Sequence, residues 1–485
     1  MNLSAEFIQQ CKVVLGEGNV IVDRECLRVY ECDALSAYRQ MPSLVALPET
    51  VQQIQALMQL CFQYGIPVVA RGAGTGLAGG ALPVKGGIVL GLSKMNRILQ
   101  IDTENLTATV QPGVRNLAVS QAVQAYGLYY APDPSSQIAC TIGGNVAENA
   151  GGVHCLKYGL TVHNVRQVKL VTVAGELLTL GSSSLDGPGL DLLAVAIGSE
   201  GLLGVVVEVT VRLLPIQPHT QVMLAAFASI EAAGNAVAAL MAGSLVPAGL
   251  ELMDNSAIRA TEAFVQAGYP VDAAAVLICE LDGLQQQVEA DCSLARAILV
   301  QNGAVEIRIA NDEQQRKLFW AGRKAAFPAV GRLSNDYYCM DGTIPRKHLA
   351  SVLKQIAAFA EACKLAVVNV FHAGDGNLHP LILYDANQPG DFAKAERLGG
   401  QILELCLAVG GTITGEHGVG LEKVGHMCLQ FTSAELAQFH ALKRAFDPVG
   451  LLNPDKAVPT LHRCAELGHM HVHQGQLPYP DLERF

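Results

Sequence analysis

The sequence predicts an α+β chain with more than one domain and a large buried core. Its 485 residues exceed the size of one typical domain. Of these residues 50% are apolar, and short apolar strands alternate with amphipathic helices along the chain. The formal net charge of −11 comes without a block of Lys and Arg. Nucleic-acid binding needs a concentrated basic face, so we exclude that function.

The elements follow from hydrophobic spacing and from Gly and Pro. Residues 51–64 have helical spacing, and Gly65 and Pro67 separate this helix from the next strand. We predict further helices near 116–126, 230–243, 288–301, 347–363 and 433–446, and strands at 67–70, 87–91, 167–173, 203–213, 274–281 and 365–371. Pro215 and Pro218 indicate a domain boundary near residue 215.

No pattern in the sequence predicts export or a membrane span. The first twenty residues lack the basic start and the unbroken apolar core of a signal peptide. The uncharged run 50–70 has its apolar residues on one helical face, and the run 232–250 is interrupted by Pro247. The 13 Cys occur singly, without C-x-x-C or iron–sulfur spacing, which is typical of unpaired thiols in a reducing compartment. We therefore expect a cytoplasmic chain that reaches the inner face of a membrane, if at all, through a partner.

Three Gly-rich segments occur in the first half of the chain. The first, RGAGTGLAGG at 71–80, contains a G-x-G-x-x-G match, but Pro83 follows where a Rossmann site needs a helix. No P-loop motif occurs. The backbone N–H groups of such a loop suit a diphosphate, although an ordinary tight loop explains this segment equally well. The segments DPSSQIACTIGGNVAENAGG (133–152) and AIGSEGLLGVV (196–206) favour a long ligand laid across several strand ends.

Residues that suit a metal site occur in the second half. The strand-like residues 367–371 and 381–384 flank the turn AGDGN, so His372 and His379 should lie opposite each other in a hairpin. Without further ligands, a plain hairpin is the simpler interpretation. Glu416 follows the predicted strand 412–414, and a Glu and a His that are adjacent in sequence usually point to different sides.

In this order, the three Gly-rich segments resemble the FAD-binding domain of the vanillyl-alcohol oxidase and p-cresol methylhydroxylase superfamily. The later motifs HAGDGNLHP, GTITGEHGVG and DPVGLLNPDK resemble the branch that holds glycolate oxidase FAD-linked subunits and D-lactate dehydrogenases. The resemblance covers about residues 40–460. It implies a two-part FAD-binding domain of the vanillyl-alcohol oxidase type at 1–215, a second α+β substrate-capping domain at 216–430, and a C-terminal segment at 431–485 that returns to the flavin and ends in a polar tail.

The resemblance also implies which residues bind FAD. Members with a covalent flavin commonly have a His in the first Gly-rich loop, and residues 72–76 offer no nucleophile, so the FAD should be non-covalent. The implied cofactor-binding residues are Arg71, Gly72, Ala73, Gly74, Thr75, Gly76, Leu77, Asp133, Ser136, Thr141, Gly143, Gly144, Asn145, Glu200, Gly201, Gly204, Val206 and Asn453.

By the same resemblance, one divalent metal (Zn²⁺, Mn²⁺ or Fe²⁺) would be held by His372, His379 and Glu416. His417 would be the catalytic base. Arg323 would bind the substrate carboxylate, with a solvated helix Arg as the competing interpretation. The implied reaction is oxidation of a small 2-hydroxy acid, in which the metal lowers the hydroxyl pKa, a neutral His takes the proton and flavin N5 takes the hydride.

Two departures from the family pattern narrow the expected substrate. Hydroxyglutarate dehydrogenases of this family tend to carry a Lys and an Asn where this chain has Cys339 and Leu381. A second substrate carboxylate would have no partner there, which favours glycolate or D-lactate.

The reduced flavin must pass its electrons to an acceptor, and the chain has no iron–sulfur motif of its own for delivery to a quinone. Such delivery would therefore need partner subunits. The resemblance to glycolate oxidase subunits implies an iron–sulfur subunit and a second flavin-type subunit as partners. The alternatives are a D-lactate dehydrogenase that works alone and a non-catalytic FAD-binding subunit. We expect the His-rich stretch at 469–473 to be a mobile tail and not a metal site.

Overall fold

The computed structural model describes residues 3–184 and 187–459. The helices are α1 (Ala5–Leu15), α2 (Arg24–Leu27), α3 (Val51–Tyr64), α4 (Asn116–Val123), α5 (Ile142–Glu148), α6 (Cys155–Tyr158), α7 (Leu192–Ala196), α8 (Ile230–Ala242), α9 (Asn255–Val265), α10 (Gln285–Gln301), α11 (Glu313–Lys324), α12 (Ala326–Val330), α13 (Leu349–Cys363), α14 (Asp391–Ala408), α15 (Met427–Gln430) and α16 (Ser433–Phe446). The strands are β1 (Val20–Ile21), β2 (Leu44–Ala46), β3 (Val68–Arg71), β4 (Ile88–Gly91), β5 (Ile98–Asp102), β6 (Thr107–Val110), β7 (Leu128–Tyr129), β8 (Val165–Val171), β9 (Leu177–Gly181), β10 (Val205–Arg212), β11 (Leu214–Pro215), β12 (His219–Phe227), β13 (Gly249–Asp254), β14 (Ala275–Gly283), β15 (Ala304–Ile309), β16 (Asp336–Cys339), β17 (Val367–His372) and β18 (Pro380–Tyr384).

Two larger sheets form most of the first part of the chain, which also has a two-stranded sheet of β7 and β11. A four-stranded sheet has the order β1-β2-β4-β3, in which β2, β4 and β3 are parallel. A five-stranded sheet has the order β5-β6-β10-β8-β9 and is antiparallel. Helix α3 packs its buried face, Ile54, Leu57, Met58 and Cys61, into the core beside the first sheet. Its bounds match the sequence prediction because Thr50 caps its first turn and Gly65 ends it in the left-handed conformation.

The second part is built on a seven-stranded antiparallel sheet with the order β15-β12-β14-β13-β17-β18-β16. Alternate residues of its strands face two separate cores, so both faces are covered by helices. In β12, Met223 and Phe227 belong to the core under α8, α10, α13 and α14, whereas Val222 and Leu224 belong to the core under α9, α11 and α12. The sheet therefore holds the ends of β13, β17 and β18 in a rigid frame.

The chain returns to the first sheet after α16. Val68 in β3 donates its backbone N–H to Leu451 O (2.8 Å), and Asn453 N donates to Val68 O (2.9 Å). This pairing places the predicted C-terminal segment beside the strand that leads into the first Gly-rich loop.

The mixed fold predicted from the sequence is confirmed, with two local corrections. The predicted strand at 412–414 is wrong, since only Thr412 makes an isolated bridge, to Thr343. Eleven cysteines among the described residues are free thiols, as expected, but Cys428 is disulfide-bonded. Within the described ranges, no helix combines the length and the apolar character needed to cross a membrane.

Candidate active site

A cleft of about 350 Å³ lies where the Gly-rich segments of the first part meet α12 and the end of α11 in the second part. Sixteen of the residues predicted to bind the cofactor line it: Arg71, Gly72, Ala73, Gly74, Thr75, Gly76, Leu77, Ser136, Thr141, Gly143, Gly144, Asn145, Glu200, Gly201, Gly204 and Val206. Three segments that are distant in sequence therefore form one wall, as a long ligand requires.

The first Gly-rich loop has the shape and the donors of an anion cradle. A Cβ at Gly72 would overlap Thr141 Oγ1, and Gly74 has φ +72° with its open side against the guanidinium of Arg71. Among the described residues, none accepts a hydrogen bond from the backbone N–H groups of 72–77. Free N–H groups around a space that side chains cannot enter suit the diphosphate of FAD.

Two predicted cofactor residues do not line the cleft. The Asp133 carboxylate binds His154, through Nδ1 (2.8 Å) and through the backbone N–H (3.0 Å). The other ring nitrogen of His154 lies 3.0 Å from Glu280 Oε1 in β14, so this contact joins the two parts of the chain. Asn453 donates from Nδ2 to the carbonyl of Gly80 (3.0 Å). Both residues brace the walls, and their binding of FAD stays a prediction.

The hairpin β17–β18 brings the two predicted histidine ligands together with a register different from the expected one. His372 pairs with Asn377 and not with His379, because the ladder joins Val368 to Leu381 and Asn369 to Pro380. The shift is two residues, and side chains alternate with period two, so both imidazoles still lie on one face. Their ring centroids are 5.1 Å apart.

The two imidazoles and Glu416 form a set of donors that could hold a metal ion. His372 Nε2 lies 3.1 Å and His379 Nε2 3.0 Å from Glu416 Oε1. Each Nδ1 is oriented from behind, in His372 by Glu251 Oε1 (2.7 Å) and in His379 by Met340 O (3.3 Å). Two Nε2 atoms and a carboxylate that converge, with the second nitrogens fixed, fit a divalent cation.

A second set of possible ligands shares one member with the first. The ligand atoms of Cys339, His379 and His417 also lie within 4.8 Å of one another. We favour the set with Glu416, since both Nε2 atoms already point at its Oε1. The His-rich tail at 469–473 lies outside the described residues.

The loop that carries Glu416 and His417 is held by one buried carboxylate. Asp341 Oδ2 accepts hydrogen bonds from the backbone N–H of Gly415 (3.0 Å) and of His417 (2.9 Å) and lies 3.3 Å from Lys423 Nζ. Asp341 and Lys423 are both fully buried. This contact, and not a strand, therefore aims the two functional side chains.

His417 lines the cleft beside the possible metal ligands. Its ring stacks on His379 at a centroid distance of 4.8 Å, and its Nε2 lies 3.9 Å from Glu416 Oε1. Burial lowers the pKa of His417 to about 4. The imidazole is thus neutral near pH 7 and able to accept a proton.

The predicted carboxylate-binding residue is placed differently from expectation. Arg323 donates from Nε to Glu251 Oε2 (2.7 Å), is 2% exposed, and does not line the cleft. Its Nη2 is buried and has no hydrogen-bond partner among the described residues. The neighbouring Lys324 does line the cleft.

Sequence reasoning missed the residues that support the site, namely Glu251, Asp341 and Lys423. Glu251 carries a signal that could have been used, because it is a charged residue inside the apolar strand GLELMD. Asp341 and Lys423 carry no such signal, since the two residues contact each other across 82 positions of the sequence.

Comparisons with known proteins agree with this geometry. Residues 42–181 match the family model "FAD binding domain", and residues 216–457 match "FAD linked oxidases, C-terminal domain". The chain is 62% identical to "Glycolate oxidase subunit GlcD" of Escherichia coli (strain K12), over 94% of this chain and 91% of the relative. It is 30% identical to "D-lactate dehydrogenase" of Anaerostipes hadrus, over 94% of this chain and 97% of the relative.

Solved structures share the fold at low sequence identity. The substrate-bound structure of p-cresol methylhydroxylase superposes with a TM-score of 0.79 at 19% identity, over 94% of this chain and 97% of that one. The chain therefore belongs to the FAD-linked oxidase family and is an FAD-dependent oxidoreductase.

Proposed function

We propose that the chain is the FAD-linked subunit of a glycolate oxidase and oxidises glycolate to the 2-oxo acid. The observation that carries this proposal is the convergence of His372, His379, Glu416 and His417 at a cleft that suits FAD. The 62% identity to a glycolate oxidase subunit supports the substrate class.

Each residue near the cleft has one task in this proposal. When bound, FAD would supply the acceptor for the hydride of the substrate α-carbon, and a divalent metal would supply the positive charge that lowers the pKa of the substrate hydroxyl. His372, His379 and Glu416 would hold that metal through their converging Nε2, Nε2 and Oε1 atoms. His417 accepts the hydroxyl proton at Nε2, the nitrogen that faces Glu416.

The substrate carboxylate needs a cation, and two neighbouring residues of α11, Arg323 and Lys324, are candidates. Arg323 has a free Nη2 but sits behind the wall of the cleft in an ion pair with Glu251. Lys324 reaches the cleft directly. We keep Arg323 as the predicted anchor, with Lys324 as its alternative.

FAD is held without a covalent bond in this proposal. The first Gly-rich loop has no His, Cys or Tyr at 72–76, and its unused N–H groups supply the contacts to the diphosphate.

D-lactate is the alternative substrate, favoured by the 30% identity to a D-lactate dehydrogenase. A non-catalytic role is disfavoured, because the possible metal ligands and the base are all present and converge.

Partner subunits belong to the same proposal. No iron–sulfur motif occurs in the chain, so transfer of electrons to a quinone would pass through an iron–sulfur subunit and a second flavin-type subunit. A cytoplasmic location at the inner face of a membrane, reached through these partners, stays a prediction.

Turnover of the purified chain with a dye acceptor tests the proposal. We expect reduction of the dye with glycolate, and a measured kcat/KM for each lactate enantiomer ranks the alternatives. A higher kcat/KM with D-lactate would transfer the assignment to that substrate. An FAD-loaded enzyme whose flavin no 2-hydroxy acid reduces would refute the proposed reaction.

A further inference from the structure

Glu148 is a carboxyl group at the cleft that the proposed reaction does not use. It is the last residue of α5 and lines the cleft. Its side chain fills the space that two glycines leave open. A Cβ at Gly80 would lie 2.8 Å from Glu148 Oε1, and a Cβ at Gly418 would overlap Glu148 Oε2. The carboxyl therefore stands between the first Gly-rich loop and the loop that follows the base His417.

This carboxyl has no hydrogen-bond partner among the described residues, and its Oε2 is buried. The neighbouring Glu200 differs, because its Oε1 and Oε2 each accept a backbone N–H, from Val419 and from Gly420, at 2.7 Å. Two hydrogen bonds from N–H donors stabilise the charged form of a carboxyl group. Burial raises the pKa of Glu200 as well, but these two hydrogen bonds oppose that rise, so Glu200 is the more readily ionised of the two neighbours.

The cations that face Glu148 are bound elsewhere. Lys423 donates to Gly418 O (2.9 Å) and lies against Asp341. Lys456 donates to Gly80 O (2.9 Å) and to Asn453 Oδ1 (2.7 Å). The remaining titratable groups that face Glu148 are Glu200 and Asp33, both acidic. An ionised Glu148 would therefore face the negative charge of Glu200 and Asp33 without a hydrogen bond of its own.

We propose that Glu148 keeps its proton in the FAD complex and donates a hydrogen bond to an acceptor atom of the cofactor. Binding of FAD then requires one proton, which comes from the solvent when the carboxyl is ionised beforehand. Burial, with Glu200 and Asp33 nearby, raises the pKa of Glu148 well above its ordinary value, in agreement with this arrangement. The inference depends on the assignment of the cleft to FAD.

The test is release of FAD from purified holoenzyme on dilution, followed by the fluorescence of free FAD from about pH 6 to about pH 9. At pH values at which Glu148 is ionised in the FAD-free protein, binding takes up a proton, and the Kd for FAD should rise by up to about tenfold per pH unit. In Glu148→Gln, the amide still donates but does not titrate, so we expect the wild-type Kd at low pH without the rise. Glu148→Leu removes the donor and should weaken FAD binding about three- to tenfold even at low pH. Glu104→Gln, at an exposed turn position, is the control and should keep the wild-type dependence.

A wild-type Kd for FAD that is constant over this range, together with a Glu148→Leu Kd within about twofold of wild type, overturns the proposal. The same holds if Glu148→Gln keeps the full dependence on pH. Protein that holds no FAD at any pH contradicts the assignment of the cleft instead, so the two failures are distinguishable.

Discussion

Replacement of Glu251 by Gln tests whether the possible metal site depends on a residue that touches neither metal nor substrate. Glu251 is 1% exposed and lies in β13. Its two oxygens hold His372 Nδ1 and Arg323 Nε, both at 2.7 Å. Gln has the same shape but only one acceptor oxygen, so it satisfies one of these donors and opposes the other with its own N–H groups.

The expected loss has two parts. Removal of one partner from a buried ion pair costs about 3–5 kcal/mol in stability, because the guanidinium of Arg323 stays buried without its counter-charge. Loss of the carboxylate behind a metal-bound His typically costs about 10–100-fold in metal affinity or activity, which is about 1.4–2.7 kcal/mol. The FAD wall is formed by other segments, so FAD should stay bound.

Metal titration of FAD-loaded Glu251→Gln and single-turnover reduction of its flavin by glycolate are the two measurements. Glu313→Gln is the matched control, since it breaks an exposed pair with Arg316 that contributes at most about 1 kcal/mol. If Glu251→Gln binds Zn²⁺ or Mn²⁺ within about twofold of wild type and reduces its flavin at the wild-type rate, the reasoning is refuted.

Four further predictions follow from the site. Acid precipitation should release intact FAD into the supernatant, and Gly74→Val should lower FAD occupancy, measured by flavin absorbance, because the new side chain enters the cradle; flavin that stays in the pellet contradicts the non-covalent assignment. Chelation should abolish reduction of the flavin by substrate while the FAD spectrum persists, and fully active enzyme without stoichiometric metal on elemental analysis would remove the metal from the mechanism. His417→Asn should slow flavin reduction by about 10²–10⁴-fold with FAD and metal retained; a wild-type rate under single-turnover conditions would reassign the residue to structure. Burial opposes the charge of His154, yet Asp133 and Glu280 raise its pKa well above the ordinary value. The stability that wild type has in excess of His154→Gln should therefore be full below about pH 6.5 and fall as the pH rises through the raised pKa. Thermal unfolding of both proteins at several pH values checks this, and an excess stability that grows with pH would contradict it.

Elements that depend on local signals were predictable. Helix α3 has the predicted bounds because its cap residues and its apolar spacing lie within one short segment. The hairpin β17–β18 was predicted with the correct face but with a register shifted by two residues. Alternation along a strand determines which side chains share a face, whereas the geometry of the turn determines which residues pair.

Contacts between segments that are distant along the chain could not be predicted from the sequence. The stretch 412–414 was predicted as a strand from its β-branched residues, but its neighbours are held by Asp341, about 75 residues earlier in the chain. The pairing of Arg323 with Glu251 likewise joins α11 to β13, and Arg323 is not among the residues that line the cleft. The spacing of apolar residues along the chain does not indicate which of several distant carboxylates will pair with a buried cation.

By itself, the sequence determined the mixed fold, the three Gly-rich loops and the residue types for flavin and metal chemistry, because glycine conformation and hydrophobic periodicity are local properties. Only the tertiary structure decided how these parts act together. It joined His372 and His379 to Glu416, braced them with Glu251 and Asp341, and left Glu148 without a partner at the cleft. The physical reason is that burial makes each charge depend on its neighbours in space, and those neighbours are brought together by packing and not by sequence distance.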